Sequence, residues 1–362
     1  MRALAADRVR LTVVSPDPAL VYRPLATAEA FDAVAPESYE LAEIAEDLDA
    51  TFHRVRVDAV ASQRNWVRLS SGTRLEYDAL VLAMGARATA SIAGALTFRG
   101  QDDLPQFRRL LEEMDGGDVA RLVFAVPAGR TWHLPMYELA LLSAARARER
   151  KLETEITIVS PESRPLAGFR VAGSRLVAAL LEEHRVCFVG KSTPKSVRRD
   201  GSLVLRSGPP IAADRVVAAP RLRGQRITGV PASTSGFVPT DLQGRVQGLD
   251  DVYAAGDMTA FPIKQGGLAT QQADRIAEAI AASLGLPVRA PRDGFVLRAR
   301  LLGGAEPVFL RSELDPLGRP TIATLERTVG GAVGSHTKVF GRYLTPYLEH
   351  RRLELRGTGA AA

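Results

Sequence analysis

Apolar and polar positions along the chain fall into short runs of two different periods. "RVRLTVVSPDP", Arg8 to Pro18, is apolar and β-branched and is closed by Pro and Asp, which predicts a buried strand of a parallel sheet. "MRALAADR" before it is barely two turns of helix. Between Ala50 and Ala86 several short strands are expected, with a turn at "SSGT" and an apolar strand at Ala79–Ala83. The spacing turns helical from Asp102 to Met114. A second unit follows: strand "RLVFAVP", loop "AGRTWHLP", helix "MYELALLSAARARERK" and strand "EITIVSP", continued by helix "SRLVAALLEEHR" and strand "VCFVG". After "DRVVAAPRLRG" the chain becomes turn-rich. It then reaches "VYAAGDMTAFPIKQGGLATQQAD", Val252 to Asp274, a short strand leading into a long helix that ends near Gly285.

Strand–helix–strand alternation occurs twice, which is the signature of an α/β chain with two doubly wound, Rossmann-like domains. The first is expected to be discontinuous, over residues 1–95 and 220–290, around a second domain at 96–219. Residues 291–362 form a C-terminal appendage, reached through the linker "LPVRAPRDG". "RLTVVSPDP" and "EITIVSPES" echo one another, a hint of internal duplication.

Composition adjusts this only in places. An apolar content of 46% supports packed cores. The charge of +6 comes from 42 Arg and only five Lys, so it reads first as a compositional bias; +4 of it lies in residues 291–362. No run of like charges marks a nucleic-acid tail, and none is expected as a partner. Cys187 is the single cysteine, which excludes a two-cysteine relay within the chain; in "HRVCFVG" it reads as a small buried hydrophobe. Without a secretory signal or an unbroken apolar stretch of about 18 residues, a cytoplasmic location is the expectation. No metal-ligand spacing of His, Cys and carboxylates occurs, and His133 stands without a cluster, which favours a structural role.

The chemistry concentrates after Val252. Gly256 lets the backbone turn beside a ligand, and Asp257 then stands at the carboxyl end of a strand, where open α/β sheets bind ligands. Gly266 and Gly267 open a helix whose Ala269, Ala273, Ile276, Ala277, Ile280, Ala281 and Leu284 define one buried face. Its amino end can face a developing negative charge.

In that order of parts the stretch resembles the C-terminal flavin motif of the two-dinucleotide-domain flavoproteins, the pyridine nucleotide-disulfide oxidoreductase superfamily. The branch it resembles more closely contains type II NADH dehydrogenases, sulfide:quinone reductases and flavocytochrome c sulfide dehydrogenases. "YDALVLAMGA" is similar to the superfamily's mid-chain "ATG" segment, with Met84 in place of Thr and Gly85 kept. "VYRPL" and "GFVPTD" are similar to two further segments of the flavin domain. The resemblance implies an FAD-dependent oxidoreductase in which Asp257 binds the ribityl chain and Gly256 allows its close approach. Gly266 and Gly267 then bring the helix to the isoalloxazine ring. Lys264 or Gln265 reaches the pyrimidine edge of that ring, or both are solvated. Arg23 meets a phosphate or is a surface residue, and backbone at Val57 contacts adenine. The usual ribose-binding acid is replaced by Ser15, with Asp17 two residues later.

Two departures qualify this. The chain shows no GxGxxG strand and loop for the flavin domain; a start upstream of Met1 is the expectation, over natural loss of a central strand. In the second domain, "AGRTWHLP" keeps one glycine, Gly129, where a nicotinamide dinucleotide needs several, although Glu138 falls where the superfamily has Glu. NAD(P)H binding is therefore uncertain, and the electron partner is a quinone, NAD(P)H or another small molecule. A non-catalytic remnant or binding protein is the alternative. "KVFGRYLTPYLEHRR" places Val339, Tyr343, Leu344, Tyr347 and Leu348 at helical spacing, interrupted by Pro346; it caps the flavin domain or lies on a membrane surface. A homodimer is the remaining partner expectation.

Overall fold

The computed structural model describes residues 1–290, 293–303, 306–325 and 338–359. Its largest sheet has five parallel strands in the order Leu96–Thr97, Arg215–Ala218, Arg121–Ala125, Glu155–Val159 and Val186–Val189. Alternate side chains serve opposite faces. Leu122, Phe124, Ile156 and Ile158 join the helices Leu104–Asp115, Leu134–Glu149 and Arg170–Glu183 in one core. Val123, Ala125 and Val159 pack with Ile92, Leu203 and Ala213 on the other side. Burial on both faces explains the continuous apolar runs of these strands.

Cys187 corrects an expectation. It is exposed, because Val186–Val189 is the edge strand and its pleat turns Val186 inward and Cys187 outward.

The other parallel strands form two separate pairs, Leu11–Val14 with Ala50–His53 and Leu80–Leu82 with Val252–Ala254. The strand at Leu11 is parallel, as expected, but not buried. It has one hydrogen-bonded neighbour, and Thr12 is exposed. Val81, in the second pair, is 43% exposed. The antiparallel strands Ala86–Thr89 and Arg221–Gly224 lead into and out of the five-stranded sheet, so the chain enters and leaves that unit at one place.

Three C-terminal strands, Phe295–Leu301, Val308–Leu314 and Pro320–Leu325, make an antiparallel sheet. Phe295, Leu297, Ala299 and Leu301 point alternately into the core that holds Leu141 and Phe169. The last helix, Leu344–Gly359, has Pro346 in its first turn, where no backbone donor is needed, so the expected interruption does not occur. Val339 and Leu348 are buried with Tyr22, Leu25 and Tyr39, so this segment covers the N-terminal part of the chain. Among the described residues no helix is long and apolar enough to cross a membrane.

Candidate functional site

The strands Leu80–Leu82 and Val252–Ala254 run parallel and in register, so their carboxyl ends lie side by side. Each leads into a glycine with positive φ, Gly85 at 68° and Gly256 at 75°. Side chains are disfavoured at both, and nothing lies within 4 Å of where a Cβ of Gly85 would stand. The Gly256 N–H donates to Gln272 Oε1 at 2.7 Å, and the Met84 N–H reaches Met258 Sδ at 3.4 Å, tying the two turns to their surroundings.

Asp257 follows in a short 3-10 turn. It is half-buried and accepts no hydrogen bond from any described residue. Burial pushes its carboxyl up, and the charges of Lys264 and Arg23 oppose that shift. Arg23 is exposed, in the 3-10 turn Arg23–Leu25.

Lys264 is not a solvated side chain. It is 2% exposed, its Nζ donates to the Thr259 carbonyl at 2.5 Å, and it lies 4.2 Å from the centroid of the Phe237 ring. Burial lowers its ammonium to about 8, partly offset by Asp257 and reinforced by Arg130. Gln265 has a structural role among the described residues. Its Oε1 caps the helix Gly266–Ser283 by accepting from Leu268 N at 2.9 Å, and its Nε2 donates to the Arg298 carbonyl at 3.1 Å. Gly266 and Gly267 do open that helix. A Cβ on Gly266 would meet Val339 Cγ2 at 3.1 Å, so its bareness also serves packing against the C-terminal segment. Of the expected helix face, Ile276, Ile280 and Ala281 are buried, joined by Leu268 and Gln272, whereas Ala273 and Leu284 are exposed.

The echo between the two units is structural as well as sequential. The Asp17 N–H donates to Ser15 Oγ at 3.1 Å, and the Glu162 N–H donates to Ser160 Oγ at 3.2 Å. Each turn sets an acid just past the end of a parallel strand. Asp17 is exposed, so the turn after Ser15 supplies the acid that Ser15 itself does not. Val57 starts the strand Val57–Ala61 and packs on the cluster of Val60, Val67 and Leu69.

In the second unit the corresponding acid is occupied. His133 Nδ1 lies 2.9 Å from Glu162 Oε2, which also accepts from Tyr137 Oη at 3.1 Å, while Glu162 Oε1 accepts from Ala167 N at 2.8 Å. Burial disfavours the Glu162 carboxylate, but His133 together with the hydrogen bonds from Ala167 N and Tyr137 Oη outweighs it and holds its pKa low. Glu138 forms a buried ion pair with Lys338, at 2.6 and 2.7 Å, and accepts from Thr27 Oγ1 and the Leu302 N–H. Phe237 and Lys338 lie in segments that the sequence singles out, "GFVPTD" and "KVFGRYLTPYLEHRR", but nothing local marks these side chains, nor Arg130 or Glu162.

The chemistry at the ends of the two strands fits a flavin's ring and ribityl end. An acid that accepts no hydrogen bond from any described residue, two positive-φ glycines, open space at Gly85 and neighbouring cations are together there. A doubly wound α/β protein is the class this defines. The family model for pyridine nucleotide-disulphide oxidoreductases matches residues 1–283, and the chain belongs to that family. It is 24% identical over 234 residues to the sulfide-quinone reductase of Aquifex aeolicus, covering 62% of this chain and 49% of the relative. To the ferredoxin–NAD(+) reductase component of the biphenyl dioxygenase system of Paraburkholderia xenovorans it is 28% identical over 258 residues, covering 66% and 58%. The chain thus spans roughly half of the curated relatives it matches. The solved sulfide:quinone oxidoreductase of Aquifex aeolicus shares its fold, with a TM-score of 0.77 and 19% identity over 88% of this chain and 82% of that one.

Proposed function

We propose that this chain carries the flavin site of an FAD-dependent oxidoreductase, with residues 1–95 and 220–290 forming the flavin domain and 96–219 a second dinucleotide-type domain. The observation that carries the reading is Asp257, a half-buried carboxylate without an internal hydrogen bond at the carboxyl end of a parallel strand. Asp257 would take hydroxyls of the ribityl chain, Gly85 and Gly256 would admit it closely, Arg23 would meet phosphate, and Asp17 would take the adenosine ribose. A bound flavin supplies the electron exchange; the protein orients it and tunes its charge. The helix Gly266–Ser283 directs its amino end, and Lys264 its buried charge, toward this region.

The donor is better read as something other than NAD(P)H. The acid that would bind a nucleotide ribose in the second unit, Glu162, is engaged by His133 and Tyr137, and the loop before it keeps only Gly129. A quinone or other small oxidant is the acceptor that the similarity to a sulfide-quinone reductase supports. Incubating the purified chain with FAD and recording its visible spectrum tests the reading; protein that stays colourless contradicts it.

A further inference from the structure

The loop 128–133 does more than close on Glu162. It sends Arg130 across to the flavin-domain segment, where its Cζ lies 4.9 Å from the centroid of the Phe237 ring. Lys264 Nζ lies 4.2 Å from the same centroid. Arg130 Nη1 is buried and has no hydrogen-bond partner among the described residues.

This arrangement is unbalanced in two ways. Two cations share one aromatic ring and repel each other, and Asp257 is the carboxylate that offsets Lys264. In addition, a guanidinium N–H sealed from water without an acceptor is costly. A bound anion would remove both defects. A pyrophosphate suits the place poorly: the loop has one glycine, and Trp132 is packed on Phe169 with centroids 6.3 Å apart while His133 is held by Glu162. A guanidinium fork matches a planar carboxylate.

We propose that Arg130 binds a small carboxylate at the junction of the two units. The inference rests on the flavin reading, since this anion would lie beside the Asp257–Lys264 end of that site.

Isothermal titration of the full chain with benzoate, with inorganic phosphate and with pyrophosphate tests it, on protein both with and without added FAD. Benzoate is expected to bind, and Arg130→Gln to weaken it about tenfold or more, with Arg130→Lys in between. Thermal unfolding of both variants checks that they fold, and because Lys keeps the charge, an affinity between the other two ties the loss to the guanidinium. Equal benzoate affinity in Arg130→Gln, absence of benzoate binding to the wild type, or tighter binding of phosphate or pyrophosphate would each overturn the proposal. If benzoate binds through Arg130 but FAD is not taken up, the flavin reading fails and the anion site stands. If FAD is taken up and benzoate ignored, only the anion site fails.

Discussion

His133 Nδ1 lies 2.9 Å from Glu162 Oε2 just past the strand Glu155–Val159, in the position where Asp17 lies exposed past Leu11–Val14. The same serine turn presents both acids, so the two units differ in what meets the acid rather than in how it is built. One acid lies exposed and the other is engaged internally.

For nucleotide use, NADH added anaerobically to the flavin-loaded protein should leave the flavin oxidised; rapid bleaching would show that the second unit accepts the dinucleotide. His133→Ala should cost about 1–3 kcal/mol, because a largely buried carboxylate loses a hydrogen-bond partner. The sign of the pH dependence follows from Glu162, whose folded pKa is held below 4.5. Its contribution is present above 4.5 and is lost as pH falls through the folded value, so wild type and variant should converge in acid denaturation series.

The Glu138–Lys338 pair is a stability element, since both side chains are almost fully buried. Lys338→Met should destabilise by about 3–5 kcal/mol, and Glu138→Leu combined with it should recover most of that loss. Chemical denaturation of the two single variants and the double variant measures the coupling; simple additivity would contradict it.

Lys264 gives a prediction at alkaline pH. Its folded value, about 8, lies below the ordinary 10.5, so the unfolded chain holds the proton more tightly between them. The buried charge is a full penalty below about 8, and the penalty is relieved as pH rises toward 10.5. Lys264→Met should therefore gain on the wild type most below pH 8, and that advantage should shrink by up to about 3 kcal/mol by pH 10.5. Tm differences measured across this window check it; a constant difference would count against the buried ammonium.

Gly85→Ala and Gly256→Ala should each cost about 1–2 kcal/mol, because both backbones are left-handed. The cost at Gly85 comes from conformation alone, whereas at Gly256 the new Cβ also comes within 3.3 Å of Ala269 Cβ. Gly256→Ala should accordingly be the less stable of the two by urea titration.

Much of this site is legible in the sequence where the pattern is local. Glycine and acid after a short apolar run identify the turn at Gly256 and Asp257, and the two glycines mark the start of the helix at Gly266. What depends on neighbours distant in the chain is not legible. Lys338 meets Glu138 across 200 positions, and Arg130 meets Phe237 only once the two units pack. The exposure of Cys187 and of the strand at Leu11 depends on which strands lack a second neighbour, which no run of residues encodes. Pro346 looked like a helix breaker because the helix start at Leu344 is set by packing of the C-terminal segment. The capping bond of Gln265 is not legible because it requires the turn already to be in place.

The most direct test is an FAD titration of the purified chain, wild type beside Asp257→Ala, read by visible flavin absorbance after removal of free cofactor. Wild type should retain flavin, and Asp257→Ala should bind it about tenfold more weakly or lose it on the column while remaining folded. Equal retention by both, or a wild-type chain that stays colourless, would contradict the assignment of Asp257 and its two glycine turns as a flavin site.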